Sequence, residues 1–312
     1  MTRPLPETPA EIERDVSLAR LTTIRTGGRA EFFARVKSVD ELQRALEWAA
    51  RTSLQVGVIG SGSNLLVADS GVRGLVLKLD GDLAEIELEP EGGENIICGG
   101  GARLPAVAAA AARAGLAGLE FGVSIPGTVG GAVRMNANAY GGALASVLDW
   151  VDVVSHAGSE RRCPEDLGFA YRRSSLAADE VVARAQFRLS RADPETVREH
   201  LAQLRRQRRD AQPSGVRTFG STFKNPVDPE AGGRTAGQLL DAAGCRGLRV
   251  GGACFSAKHA NFIENVAAAT TADVVALMTI GRERVQERFG IALEPEVQVL
   301  GEVELPGGGG SE

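Results

Sequence analysis

Four glycine-bearing segments are the first candidates for a ligand-binding site in this chain of 312 residues. They are RTGGRA (25–30), GSGSNLLV (60–67), GGGARL (99–104) and FGVSIPGTVGGAVRMNANAYGG (121–142). Glycine permits positive φ and close approach of the backbone to a ligand, and successive main-chain N–H groups form nests for phosphate oxygens. The segments therefore indicate a phosphate-bearing ligand held by several loops, with ordinary turns as the alternative.

The single-loop phosphate motifs do not fit these segments. Residues 60–65 begin like a Rossmann fingerprint, but Leu65 stands where the third glycine is needed, and a loop and a strand follow instead of a helix. A Walker A loop is excluded because no G-K-[ST] occurs in the chain. A dinucleotide would have to be cradled by loops from different parts of the chain.

Cysteine and histidine form no recognisable metal or redox motif. The chain has four cysteines and three histidines: Cys98, Cys163, Cys245, Cys254, His156, His200 and His259. The cysteines show no C-x-x-C spacing, and the histidines are too scattered for a local metal motif. We interpret the cysteines as structural, and we predict no metal site.

Composition and charge exclude several classes of protein. The net charge of −5 argues against nucleic acid or anionic membranes as partners, and the basic cluster at 205–209 is typical of a solvated helix face. No apolar run reaches the roughly 18 residues of a membrane span, and the first residues have no signal-peptide core. With 43% apolar residues the chain is not disordered. We expect a soluble, cytoplasmic protein with reduced thiols.

The elements that must position these loops follow from local patterns. The patterns predict strands at 30–36, 54–60, 72–79, 86–90, 95–100, 146–155 and 181–190, and helices at 38–52 and 104–115. The helix over 38–52 has Ser38 or Asp40 as its cap, and its apolar residues fall on one face.

A second group of elements follows toward the C-terminus. Helices are predicted at 194–213, 236–244 and 271–290, and strand character at 296–305. We therefore predict an N-terminal lead-in (1–19), a strand-rich α+β domain (20–190), a linking helix (191–213), a C-terminal α+β domain (214–305) and a flexible tail (306–312).

Seven segments, taken in order, closely resemble the bacterial UDP-N-acetylenolpyruvoylglucosamine reductases, the MurB family. They are TTIRTGGRAEF (22–32), GSGSNLLV (60–67), GLAGLEFGVSIPGTVGGAVRMNANAYGG (115–142), FAYRRS (169–174), GSTFKNP (220–226), AGQLLDAAGCRGLRVGGACFSAKHANFI (236–263) and LEPEV (293–297). The short interval between Arg172 and Ser221 resembles the subclass without the long tyrosine-bearing substrate loop. Asn138 stands where the family commonly has glycine, and Gln298 where arginine is frequent.

The resemblance implies both a fold and a reaction. The fold is α+β, with a two-subdomain FAD-binding domain of the vanillyl-alcohol-oxidase/PCMH type and a C-terminal substrate-binding domain. NADPH reduces non-covalently bound FAD, which then reduces enolpyruvyl-UDP-N-acetylglucosamine to UDP-N-acetylmuramate for peptidoglycan. The alternatives are another FAD-linked oxidoreductase of the same fold and a non-enzymatic flavin or nucleotide-sugar binding protein. Nothing in the sequence predicts the oligomeric state.

Three residues match the family's catalytic positions. Ser221 matches the proton donor, Arg172 the arginine that holds the substrate carboxylate and the developing enolate, and Glu296 the glutamate that acts with it. Arg173 and Glu294 are the neighbouring alternatives to Arg172 and Glu296.

The remaining candidate residues surround the flavin and the substrate. The resemblance places the flavin against Thr26, Gly27, Gly60, Ser61, Gly62, Ser63, Asn64, Leu65, Gly127, Thr128, Gly130 and Gly131. It places the substrate near Tyr171, Lys224, Asn225, Gln238, Lys258, His259 and Asn261. For His259 a packing role is the open alternative, and for Lys224 a place on the surface.

Overall fold

The computed structural model describes residues 9, 12–90 and 92–307. The chain divides into two compact units. The first contains the described residues of 1–16, together with 31–61 and 73–208; the second contains 17–30, 62–72 and the described residues of 209–312. The second unit is therefore built from three separated stretches of sequence.

One sheet of the first unit lies against helix α1 (Val39–Arg51). Among the described residues it is four-stranded, in the order β1-β2-β5-β3, formed by β1 (Ile12–Ser17), β2 (Arg29–Val36), β3 (Val56–Val58) and β5 (Val72–Leu79). The Ser38 side chain caps α1 by accepting a hydrogen bond from Glu41 N at 3.2 Å. The buried face of α1 packs on the sheet, with the rings of Trp48 and Phe32 in edge contact at 5.1 Å. The predicted helix and its cap are confirmed.

A larger sheet carries the rest of the first unit. Its described strands are β6 (Ile86–Leu88), β7 (Asn95–Gly99), β11 (Leu148–Ser155), β12 (Gly158–Arg162) and β13 (Val181–Arg188), in the antiparallel order β12-β11-β13-β7-β6. Helices α2 (Leu104–Arg113) and α3 (Val129–Arg134) pack with it. Two short ribbons join β8 (Leu116–Ala117) to β14 (Ser190–Arg191) and β9 (Asn138–Ala139) to β10 (Gly142–Ala143).

Helix α4 (Pro194–Ala211) ends two residues before its predicted end. Val197, Leu201 and Leu204 form its buried stripe at helical spacing. The arginines at 205, 206 and 209 are exposed, as the solvated-face interpretation predicts. Arg208 differs, because its guanidinium donates a hydrogen bond to Ser124 O and burial lowers its pKa.

The second unit contains a three-stranded antiparallel sheet within the part of the chain that the structure describes. Its strands are β15 (Arg249–Val250), β16 (Ala253–Phe255) and β17 (Ile263–Asn265), and helices α5 (Ala236–Ala242) and α6 (Thr271–Phe289) share their core. Helix α6 begins with a capping box between Thr270 and Asp273 and ends at Gly290, whose φ is +72°. The Asp69 carboxylate also accepts hydrogen bonds from the first two N–H groups of α6, both at 2.9 Å.

The same unit holds a parallel pair of strands from opposite ends of the sequence. β4 (Leu65–Val67) pairs with β18 (Gln298–Leu300), with Leu65 opposite Gln298. The sequence predicts neither β1 nor β4 nor α3, and it predicts a longer strand than β18. These elements are short, and β4 and β18 depend on pairing between distant segments.

The predicted domain boundaries stay a prediction. The lead-in falls partly, at 1–8, 10 and 11, outside the described residues, as does 308–312 of the tail.

Candidate active site

The segments that carry Ser221 and Glu296 run side by side in the second unit. Lys224 N donates to Glu294 O at 2.8 Å, and Glu296 N donates to Thr222 O at 2.9 Å. These bonds flank an antiparallel bridge between Phe223 and Pro295. Phe223 is fully buried in the core and anchors the pair of segments, so the structure brings these two predicted catalytic residues onto neighbouring extended segments.

Lys224 and Glu294 form an ion pair at the edge of this arrangement. The Lys224 Nζ–Glu294 Oε2 distance is 3.2 Å, and Glu294 is largely exposed. The contact gives Glu294, the alternative to Glu296, a charged partner in Lys224.

Asn261 holds the Ser221 segment from the other side. Its Oδ1 accepts a hydrogen bond from Phe223 N at 2.9 Å, and its Nδ2 donates to Phe223 O at 2.8 Å. Its own carbonyl accepts from Thr222 N at 2.8 Å. The Asn261 side chain, predicted to contact substrate, is buried and is hydrogen-bonded to the backbone here.

The second half of the 60–65 loop reaches both catalytic segments. Gly220 N donates to Ser63 O at 2.7 Å, and Asn64 Nδ2 donates to Glu296 O at 3.1 Å. Gln298 N in turn donates to Asn64 O at 3.0 Å. Asn64 Oδ1 and Thr222 Oγ1 are buried and have no hydrogen-bond partner among the described residues. One buried acceptor and one buried hydroxyl on these segments are thus left without a hydrogen-bond partner among the described residues.

Thr26, Gly27 and Gly62 belong to the same unit. The buried Thr26 hydroxyl accepts a hydrogen bond from Thr271 Oγ1 at 3.0 Å, next to the start of α6. Gly27 and Gly62 have φ of +104° and +62°, and a Cβ on Gly62 would lie 2.2 Å from Leu21 O. Both glycines are therefore required by the packing of the chain itself.

Gly60, Ser61 and the 127–131 segment belong to the first unit. A Cβ on Gly60 would lie 2.4 Å from Thr128 Oγ1, so these two predicted flavin contacts meet. Thr128 caps α3, and Gly130 N donates to Gly100 O at 2.8 Å. A Cβ on Gly127 or Gly131 would meet nothing closer than 3.5 Å, so this stretch of backbone is open to a ligand.

Sequence reasoning missed Lys78, which lies beside the 60–65 loop. Its Nζ donates to Gly60 O at 2.6 Å, and burial lowers its pKa. Lys78 lies on strand β5 outside the matching segments, so no local signal marked it.

Arg172 lies in the first unit, on a turn. Ala170 N donates to Arg173 O at 3.0 Å, and Arg173 N donates back to Ala170 O at 3.2 Å. Arg172 is the third residue of this turn, with φ of +58°, and its guanidinium carbon lies 5.0 Å from the centre of the exposed Tyr171 ring. The arrangement presents Tyr171 and Arg172 together.

The other predicted substrate residues cluster around α5 in the second unit. Gln238 Oε1 accepts from Thr235 N at 2.8 Å in a capping box, and Asn225 Oδ1 accepts from Ala236 N at 3.1 Å. Lys258 Nζ donates to Arg209 O at 2.5 Å. These contacts give each side chain a structural partner, and their predicted substrate contacts stay predictions.

His259 lies beside α5. Its Nδ1 accepts from Asn261 N at 3.2 Å, and its ring meets Phe262 edge-on at 5.0 Å. Burial, and then the nearby Arg246 charge, lower the pKa of His259. A lowered pKa keeps the ring neutral at neutral pH, which agrees with the packing alternative, and the substrate contact stays a prediction.

No cluster of His, Cys, Asp and Glu that could hold a metal occurs among the residues described. All four cysteines are free, and Cys163 is exposed. None of the described helices is both long and apolar enough to cross a membrane.

Comparison with known proteins decides the family. Residues 212–300 match the model described as UDP-N-acetylenolpyruvoylglucosamine reductase, C-terminal domain, and residues 30–164 match the model of an FAD binding domain. A UDP-N-acetylenolpyruvoylglucosamine reductase from Rubrobacter xylanophilus is 43% identical over 92% of this chain and 95% of its own. The chain belongs to the UDP-N-acetylenolpyruvoylglucosamine reductase family.

Other members agree. Reductase 2 of Symbiobacterium thermophilum is 44% identical over 94% of this chain and 93% of its own. The crystal structure of the Thermus caldophilus member covers 93% of this chain and 98% of its own with a TM-score of 0.79 and 39% identity. The predicted family and α+β fold, with its FAD-binding domain followed by the family's C-terminal domain, are confirmed.

The residues present fit the FAD that this fold implies. In the first unit the backbone at Gly127 and Gly131 is open, and the buried Ser124 Oγ nearby has no hydrogen-bond partner among the described residues. In the second unit Asn64 Oδ1 is a buried acceptor that also has no hydrogen-bond partner among the described residues. Polar atoms left over beside glycine-rich backbone are what a polar ligand would satisfy.

Proposed function

We propose that this protein is an FAD-dependent reductase that uses NADPH to convert enolpyruvyl-UDP-N-acetylglucosamine to UDP-N-acetylmuramate in peptidoglycan synthesis. Membership of the family supports the reaction. The observation that carries the proposal is the hydrogen-bonded pairing of the Ser221 and Glu296 segments, with Asn64 of the predicted flavin loop bonded to Glu296 O. The proposal includes the cytoplasmic location in which NADPH and the nucleotide sugar are available.

FAD, when bound, would supply hydride transfer from NADPH to the enolpyruvyl double bond. The residues proposed to hold it are Thr26, Gly27, Gly60, Ser61, Gly62, Ser63, Asn64, Leu65, Gly127, Thr128, Gly130 and Gly131.

Ser221 would donate the proton that completes the reduction. Hydride addition to the vinyl carbon leaves negative charge on the carbon that bears the carboxylate, and that carbon must then be protonated. A serine hydroxyl is a weak acid, but an enolate is a strongly basic acceptor. Main-chain bonds on both sides, from Gly220 N and Thr222 N, fix the backbone that carries the hydroxyl.

Arg172 would bind the substrate carboxylate through its planar fork and stabilise the charge that develops beside it. Glu296 would orient the group that receives the proton. Its backbone is held on both sides, because its N–H donates to Thr222 O and its carbonyl accepts from Asn64 Nδ2.

The remaining candidates would contact the nucleotide sugar. The residues proposed for this role are Tyr171, Lys224, Asn225, Gln238, Lys258, His259 and Asn261. Lys224 and Lys258 supply positive charge for a substrate that carries a diphosphate and a carboxylate.

Single-turnover kinetics of Ser221→Ala test the proposal. NADPH should reduce the bound flavin at close to the wild-type rate, while reoxidation by the enolpyruvyl substrate should slow by about 10²–10⁴-fold, the usual contribution of a general acid. Ser214→Ala, at an exposed serine shortly before this segment, is the control and should leave both half-reactions unchanged.

Three results would count against the proposal. An equal loss in both half-reactions would remove the proton-donor role from Ser221. A colourless protein that cannot be reconstituted with FAD, or a reduced flavin that the enolpyruvyl substrate never reoxidises, would overturn the function itself.

A further inference from the structure

Arg134, at the end of α3, is a half-buried arginine that the proposed reaction does not use. Its guanidinium donates hydrogen bonds to three main-chain carbonyls: Leu176 O at 3.2 Å, Ala177 O at 3.0 Å and Glu180 O at 2.6 Å. An arginine is always charged in proteins and presents its donors in a rigid fork. The fork therefore fixes the stretch of chain that follows the Arg172 turn.

Residues 134–136 also bond the chain on both sides of the Arg172 turn. Asn136 Nδ2 donates to Ala170 O at 3.1 Å, and Ser174 Oγ donates to Arg134 O at 2.9 Å. Residues 134–136 thus bond the chain immediately before and immediately after the 171–173 residues. All of these residues belong to the first unit.

A second connection secures the far end of this stretch. The Glu180 carboxylate accepts hydrogen bonds from Ala177 N at 2.8 Å and from the Arg162 guanidinium, whose closest approach is 2.5 Å. Both Glu180 and Arg162 are mostly buried at this contact. The carbonyls that Arg134 binds therefore lie in a segment with its own fixed geometry.

Arg172, in the turn between these hydrogen bonds, has a backbone conformation that is unfavourable for arginine. Arg172 has φ of +58°, a left-handed conformation that costs free energy for a side chain with a Cβ. Such residues persist where the surrounding structure over-determines them, and they concentrate at functional sites. The five side-chain hydrogen bonds made by Arg134, Asn136 and Ser174 constrain the chain on both sides of Arg172 in this way.

We propose that Arg134 and Asn136 are positioning residues that hold the 170–173 turn and thereby aim the Arg172 guanidinium at the substrate. This inference rests on the proposed function of Arg172. Neither residue needs to touch the substrate, because each acts through the backbone of the turn.

The first experiment measures the turn itself, independently of activity. Trypsin cleavage at Arg172 and Arg173, followed by mass spectrometry of the FAD-loaded protein, should be at least about ten-fold faster in Arg134→Met than in the wild type, because cleavage requires local opening. Asn136→Gly, which tolerates the φ of +39° at this position, should also increase it. Unchanged cleavage in both variants would overturn the inference.

The second experiment measures the consequence for the reaction. In Arg134→Met, flavin reduction by NADPH should stay within about two-fold of wild type, while reoxidation by the enolpyruvyl substrate should slow by about 10–100-fold, as expected for a misplaced catalytic group. Arg134→Lys, which keeps the charge but loses the fork, should recover part of the rate. In the Arg172→Ala background the Arg134→Met change should slow reoxidation no further.

Arg191→Met is the matched control. Arg191 also donates to two main-chain carbonyls in the first unit, Gly93 O at 2.9 Å and Ala114 O at 3.4 Å, but not to the turn. It should change neither cleavage at 172–173 nor reoxidation.

Faster cleavage with unchanged reoxidation in Arg134→Met would overturn the positioning role. If the wild type itself showed no reoxidation, the proposed function would fail, while the cleavage experiment would still decide whether residues 134–136 hold the turn.

Discussion

Replacing Asn261 by alanine should lower the free energy of unfolding of the second unit. The loss should be far larger than for a side chain that only contacts substrate. Both polar atoms of its side chain bond the backbone of Phe223, at 2.9 and 2.8 Å, and both residues are buried. Truncation leaves the Phe223 N–H and C=O without partners. A buried group left unsatisfied costs about 1–3 kcal/mol, so the pair should cost about 2–6 kcal/mol.

Urea unfolding followed by circular dichroism, at fixed protein and FAD concentrations, measures this loss. Asn225→Ala is the matched control, because Asn225 is exposed and its side chain accepts one hydrogen bond within the part of the chain that the structure describes, from Ala236 N at 3.1 Å. It should lose about 1 kcal/mol or less. A change below about 0.5 kcal/mol in Asn261→Ala, combined with weaker substrate binding, would refute the structural role and favour the substrate contact that the sequence predicts.

Three further predictions concern other parts of the chain. Gly62→Ala should lower the urea midpoint of unfolding more than Gly232→Ala. Both glycines have a left-handed φ, which costs an alanine about 1–2 kcal/mol, but only at Gly62 would the new Cβ meet backbone, at 2.2 Å from Leu21 O. Equal decreases in the two variants would contradict this prediction. The hydrogen bond from Arg162 lowers the pKa of Glu180, so its stabilising contribution is present above the unfolded pKa of about 4.3 and is lost as pH falls through the lower folded pKa. Glu180→Gln should therefore flatten the acid limb of stability against pH, and an unchanged limb would exclude this pair as its source. A thiol reagent should modify Cys163 alone in the native protein, because the other three cysteines are buried; Cys163→Ser should abolish the reaction, and persistent labelling would contradict the assignment.

Local signals in the sequence were sufficient for the long helices. The cap at Ser38 and the apolar stripe of α1 lie within one stretch of chain, and so do the capping box at Thr270 and the glycine that ends α6. Elements of this kind are specified by side chains a few residues apart. Their boundaries could therefore be predicted to within about two residues.

The site was less predictable because its geometry comes from distant segments. Asn64 matched a family motif, but nothing local could show that its side chain bonds Glu296 O, 232 residues away. Arg134 follows a glycine-rich stretch whose helix propensity is low, so α3 itself was not predicted. The side chain of Asn261 matched a motif for substrate, and only its buried bonds to Phe223 reveal the second role.

The pairing of β4 with β18 has a consequence for the order in which the protein is made. Ile24 and Leu66 emerge from the ribosome early, yet both are fully buried in a core otherwise made by residues 219–297. At about 5–20 residues per second, the 232 residues between Asn64 and Glu296 take roughly ten to fifty seconds to synthesise. During that time Ile24 and Leu66 lack the core that buries them, and a chain that stops before residue 298 leaves β4 as an open edge. Completion of the second unit thus waits until residues 298–300 have been synthesised and can pair with β4.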